Sequence, residues 1–176
     1  MKKQKNCEKR YVFVFDVSPI IVLQELKRID LINNIRRKGV MIIIPRAVRN
    51  ELLRSGLQVD IQNNSVTEIP AEADIGTIDI PQSLGEGERH AIAIANAISK
   101  SRDETVIVIT DDRKARKTSE KMGIKVLGTL GFIKFAKRHG IITKEEALNL
   151  IEKIPSTSLY ITQKELERAR SVIISQ

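Results

Sequence analysis

The chain has 176 residues, of which 41% are hydrophobic, enough to bury the core of one domain with a small appendage. Aromatic residues make up 3% with no Trp, so that core must be built from Ile, Leu, Val and Ala. Lys and Arg number 30 against 22 acids, a formal net charge of +8 that favours a polyanionic partner such as nucleic acid.

Residues 1–10 are basic and polar and read as a flexible N-terminus. They hold the single Cys7, which excludes an internal disulfide and a cysteine metal site. The apolar run that follows is short and broken by Asp16, unlike a signal peptide or a membrane span. A cytoplasmic protein with no membrane contact is expected. Residues 11–15 (Tyr-Val-Phe-Val-Phe) form a strand that ends on Asp16. Ser18-Pro19 follow: Ser can cap a helix and Pro suits its first position. Ile20, Ile21, Leu23 and Leu26 give that helix its apolar face. A short helix over 31–37 stops at Gly39, and a strand over 40–44 closes on Pro45. Residues 46–54 read as a helix with Val48 and Leu52 on one side. Glu51 sits at the edge of that face, where a carboxylate can point into a cleft.

Residues 55–83 carry Gly56, Asn63-Asn64, Pro70, Gly76 and Pro81. A short strand suits 66–69, and one short helix is expected in the rest, because long bare loops are rare in compact domains. Leu84 to Glu88 then open an Ala- and Ile-rich helix over 89–100. Val106-Ile107-Val108-Ile109 is a β-branched run that reads as a buried parallel strand, and it stops at Thr110-Asp111-Asp112. A helix over 113–122 and a strand over 124–127 follow. This alternation marks a parallel three-layer α/β domain spanning 11–176, whose part from 130 to 176 is helical and packs on the sheet. Within that part a helix covers 130–139, and Thr143…Glu146 and Thr162…Glu165 match capping boxes for two more.

Acids recur at the junctions of these elements: Asp16, Glu51, Glu88, Asp111 and Asp112. Acids at strand ends lie at the carboxyl edge of the sheet, where open α/β sheets bind ligands. Each also has an ordinary reading. Asp111 or Asp112 can simply cap a helix, Glu88 can favour a helix start, and Asp16 or Glu51 can face solvent. Two carboxylates about 4 Å apart repel by about 4 kcal/mol at an effective dielectric near 20, so a fold that gathers them needs protons or metal ions. Hard cations such as Mg²⁺ and Mn²⁺ take oxygen ligands and can turn a bound water into a nucleophile. Ser18 and Thr110 flank two of the acids and can bond a carboxylate or a phosphate, or cap a helix. Arg113, Lys114, Arg116 and Lys117 form either a phosphate-binding face or a solvated one. His90 follows Glu88 by two positions, so it points away and reads as a surface or packed residue.

These residues resemble the PIN domain. The resemblance is carried by Asp16-Val17-Ser18-Pro19 after a strand, Arg49-Asn50-Glu51-Leu52, Gly87-Glu88 opening an Ala-rich helix, and Thr110-Asp111-Asp112-Arg113. Asp111 to Arg116 and Gly128 to Gly131 look most like a little-characterised archaeal and bacterial subgroup. The resemblance implies a Rossmann-like three-layer fold and an Mg²⁺- or Mn²⁺-dependent nuclease, usually cutting RNA. It also implies an antitoxin protein as partner, since many members are toxins, and a homodimer. Asp16, Glu51, Glu88 and Asp112 match the family's acidic quartet, with Asp111 where members often have Asn. Glu88 stands where the wider family more commonly has Asp. Ser18 matches the hydroxyl that often follows the first acid.

Two other classes compete. One is a PIN-like scaffold that holds RNA or a protein without cutting. The other is an Asp-nucleophile phosphatase, which usually needs a second Asp where this chain has Ser18. A Walker-type phosphate loop is absent.

Overall fold

The computed structural model describes residues 10–57, 66–67, 78–101 and 103–175. Its centre is β1 (Tyr11–Phe15), flanked by β2 (Met41–Pro45) on one side and β4 (Thr105–Ile109) on the other. The two-residue β3 (Val66–Thr67) and β5 (Lys125–Leu127) form the edges, giving the parallel order β3-β2-β1-β4-β5. The strand expected at 66–69 is thus present at its first two residues. Residues 1–9 and most of the stretch in which a short helix was expected lie outside the described residues.

Alternation along the strands divides the core between two faces. Phe13, Phe15, Ile107 and Ile109 face one cluster, and Val12, Val14, Val106 and Val108 face the other. The first face is covered by α1 (Val17–Glu25), α2 (Asp30–Arg37), α6 (Thr129–Arg138), α7 (Lys144–Lys153) and α8 (Gln163–Ser175). The second is covered mainly by α4 (Glu86–Ser101), whose Ala91, Ala93 and Ala95 let the helix lie close on the sheet. α5 (Arg113–Lys121) adds Ala115 to that face, and α3 (Arg46–Arg54) packs against α4. The layers are therefore helix, sheet, helix, as the alternating sequence requires.

The C-terminal helices are bound to the sheet by aromatic packing. Phe132 meets Phe13 and Phe15 edge-on at 6.1 and 5.3 Å, and Phe135 meets Phe13 at 4.8 Å. Both capping boxes form: Thr143 with Glu146, and Thr162 with Glu165. A 3₁₀ turn, Ile154–Ser156, follows α7 and contains Pro155. Several helix starts differ from the sequence reading: α4 begins at Glu86 instead of 89, and α2 and α6 each begin one residue early. α1 begins at Val17 with Asp16 as its N-cap, so Ser18 and Pro19 lie inside the first turn.

Phe132 is fully buried and has no polar group to satisfy, so its truncation leaves a cavity between sheet and α6. We expect Phe132→Ala to lower the stability by about 3–5 kcal/mol in urea unfolding. A loss below about 1 kcal/mol would show that α6 is dispensable to the core.

Candidate active site

The sheet order reverses between β1 and β4, since β2 lies on one side of β1 and β4 on the other. Ligands of open α/β sheets bind at the carboxyl ends of the strands at such a point. Phe15 and Ile109 are in register, and the ladder runs one step further through a 2.9 Å bond from the Asp16 amide to the Ile109 carbonyl. Asp16 and Thr110 therefore emerge side by side.

Asp16 is 3% exposed. Its Oδ1 accepts from the Val17 amide at 2.7 Å, and its Oδ2 accepts from the Thr110 hydroxyl at 2.8 Å and from Ser18 Oγ at 3.4 Å. Burial pushes its carboxyl up to about 6 against an ordinary 3.8; the Thr110 and Val17 bonds oppose this, and the charges of Glu88 and Glu51 add to it. Glu88 is also raised, first by burial and then by Asp112 and Glu51, while the Gly85 amide and Lys114 oppose the shift. These four acids thus lie within electrostatic reach of one another at one edge of the sheet.

Each is delivered by a different local device. Asp112 caps α5, its Oδ1 accepting from the Ala115 amide at 2.7 Å. Glu88 reaches back to the Gly85 amide at 2.6 Å, which holds it near the start of α4. Glu51 comes from α3, and a Cβ at Gly87 would lie 3.1 Å from its Oε2 and 3.1 Å from Val48 Cγ2. Gly87 is what lets α3 and α4 approach closely enough to bring Glu51 and Glu88 together.

The other candidates separate. Asp111 has different partners: its Oδ1 accepts from the Thr129 amide at 2.8 Å and its Oδ2 from the Thr129 hydroxyl at 2.5 Å. Both oxygens fasten β4 to the start of α6, and Asp111 lines the same pocket as Glu88 and Asp112. Burial raises its carboxyl, against the Thr129 bonds and Arg116. Thr110 is fully buried, donating to Asp16 and accepting from the Asp112 amide at 3.2 Å, so its hydroxyl positions acids and does not meet nucleic acid. Ser18 Oγ also accepts from the Asp111 amide at 3.3 Å, yet it lines a pocket of about 310 Å³ with Glu88, Asp111 and Asp112. The basic residues of α5 divide: Lys114 acts on Glu88, Arg113 and Arg116 line a second groove, and Lys117 is exposed. His90 is half-buried on α4 and its imidazole is held below its ordinary value by burial. Thr129, Tyr160, Lys134 and Arg168 border these features; sequence reasoning passed over them because their elements lie far from the acids in the chain.

A family profile of the PIN domain matches residues 12–174. The chain belongs to the PIN domain family. PIN domains are generally nucleases that need divalent metals, and the three-layer fold with Asp16 at the end of its first strand agrees with that membership. No curated protein and no solved structure matches the chain. No helix among the described residues is long and apolar enough to cross a membrane. The four carboxylates of this PIN domain are oxygen donors, the chemistry a hard divalent cation takes. Among the described residues no three acids stand close enough to share one ion, so the set is more open than a closed metal cage.

The sign of the Asp16 shift gives a stability test. Its folded-state value exceeds the unfolded one, so Asp16 costs nothing below pH 3.8 and its full penalty, about 3 kcal/mol, above pH 6. With chelator present, Asp16→Asn is expected to melt at or above the parent at pH 8, and to lose that advantage at pH 4. A variant melting well below the parent at pH 8 would show that the carboxylate is a net stabiliser.

Proposed function

We propose that this chain is a divalent-metal-dependent endoribonuclease that hydrolyses RNA phosphodiester bonds. The observation that carries the reading is the buried Asp16 carboxylate, set among Glu51, Glu88 and Asp112 at the switch point of a PIN fold. One or two of Asp16, Glu51, Glu88 and Asp112 would hold the ion, Mg²⁺ or Mn²⁺, and the others would meet it through its bound waters. Bound there, such an ion supplies an acidified water for attack on phosphorus and a positive charge for the displaced phosphate oxygens.

The chain's own residues do the positioning. Val17 and Thr110 fix both oxygens of Asp16, so the carboxylate cannot rotate away. The α5 cap fixes one oxygen of Asp112 and the Gly85 amide fixes one of Glu88, and each keeps its second oxygen for a ligand. Such preorganised donors cost little rearrangement when substrate binds. Lys114 beside Glu88, with Arg113, Arg116 and Lys117 on the same helix, supplies positive charge for the RNA backbone in this reading.

A second reading is a scaffold that binds RNA or protein without cutting, and the open spacing of the carboxylates favours it. The roles of toxin, antitoxin-bound protein and homodimer rest on family membership alone. Copurification with the product of a neighbouring gene, and the mass in solution, test them.

Cleavage of a mixed RNA pool decides between nuclease and scaffold. We expect cutting with Mn²⁺ that stops on chelation, and a loss of at least about a hundredfold in Asp16→Asn, since even outer-shell changes at metal sites cost 10–100-fold. A folded Asp16→Asn variant that cuts at the parent rate would falsify the role of Asp16. Gly87→Ala tests the approach of α3. Its Cβ must displace Glu51 or Val48, so we expect activity to fall about tenfold with a melting temperature near the parent's.

A further inference from the structure

The chain has 4 Phe, 2 Tyr and no Trp. Phe13, Phe15, Phe132, Phe135 and Tyr11 pack on one another beneath α6. Tyr160 makes no ring contact among the described residues and is 83% exposed on the segment between α7 and α8. It borders both the pocket with Ser18, Glu88 and Asp112 and a groove of about 400 Å³ running between α5, α6 and α8. A single exposed ring needs no explanation, but one on the shared wall of an acid pocket and a basic groove has a defined place.

The groove carries Arg113 and Arg116 from α5, Lys134 from α6 and Arg168 from α8. Its two acids are hydrogen-bonded, Asp111 to Thr129 and Glu165 to the amide and hydroxyl of Thr162; Glu165 also feels Arg113 and Arg116, and Asp111 feels Arg116, so the four cations outnumber the acids by two. Among the described residues Arg113, Lys134 and Arg168 form no ion pair. Lys134 is half-buried, and burial together with the Arg168 guanidinium holds its ammonium below its ordinary value. Two cations close enough to act on each other, in a groove also lined by Leu130 and Leu159, are a place for an anion.

We infer that this groove is the track of a single-stranded RNA, with Arg113, Lys134 and Arg168 on the backbone phosphates and Tyr160 stacking a base next to the acid pocket. Rings with a free face stack bases regardless of sequence, and cations along a groove follow the backbone. A duplex offers no unstacked base, so the ring selects single strands. This assignment rests on the ribonuclease reading for its direction toward the acids, but its binding requires no cleavage.

The test is fluorescence anisotropy of a labelled single-stranded RNA dodecamer, in chelator, with the full chain. Tyr160→Ala is expected to weaken binding about tenfold and leave the salt slope unchanged. Tyr160→Phe keeps the ring and should bind within about twofold of the parent. Arg113→Ala with Arg168→Ala should weaken binding at low salt and reduce the log–log salt slope by about 0.7 per cation removed. All three sites are exposed, and thermal melts confirm folding. Parent affinity for a matched duplex should not depend on Tyr160. Equal affinity of parent and Tyr160→Ala for the single strand, loss in Tyr160→Phe as large as in Tyr160→Ala, or no binding by the parent each overturns the groove. Tyr160-dependent binding without Mn²⁺-dependent cleavage would instead sink the nuclease and leave the groove standing.

Discussion

A carboxylate that is nearly sealed from water sits where the two halves of the sheet part, and the surrounding structure is arranged to bear it. Among the described residues Asp16 has no ion pair; it is held by one amide and two hydroxyls. Such a group is costly to ionise, and the cost is met by the packing on both sides of the strand that carries it. Phe13 and Phe15 below, Val12 and Val14 above, fix β1 between two clusters of apolar side chains. The ladder from β1 to β4 then sets Thr110 beside Asp16 with no freedom to slip, because a shift of one residue would turn every strand side chain to the wrong face.

Helix capping and ligand chemistry are often offered as rival explanations of an acid at a strand end. In this PIN domain acids proposed as ligands are also caps. Asp16 and Asp112 both cap helices, and Glu88 closes a turn onto Gly85. Asp111 shows the contrast. It gives both oxygens to Thr129 and becomes a fastening between β4 and α6. Adjacent residues of identical chemistry thus take different work, decided by which groups the following helices present.

The layer order and the strand-end acids were legible because they depend on short-range pattern: β-branched runs, alternation, and acids at junctions. Strands 11–15 and helix 46–54 match the structure residue for residue. The α1 start moved to Val17 because Asp16 does the capping and the fold does not use the start that Ser18-Pro19 advertises, whereas α5, capped by Asp112, begins at Arg113 as read. The separate fates of Asp111 and Asp112 were not legible, because Thr129 lies 18 positions away and only the packing of α6 brings it near. Thr110 read as bonding a carboxylate or a phosphate; its burial and its bond to Asp16 select the carboxylate, and its amide donates to the Leu127 carbonyl of β5. The groove of Lys134, Tyr160 and Arg168 joins three elements and has no local signature at all.

The bond between the Thr110 hydroxyl and Asp16 spans 94 positions of the chain. During synthesis β1 emerges first and waits while α1 to α4 are made, because its partner β4 follows all of them. The α6 rings that pack on Phe13 and Phe15 come later still. No partial chain that lacks β4 can assemble the acid cluster, and none that lacks α6 can shield the face beneath it. A growing polypeptide on the ribosome, surrounded by RNA, therefore carries its acids scattered along an unfinished thread, and the cluster is drawn together only when most of the molecule has been released.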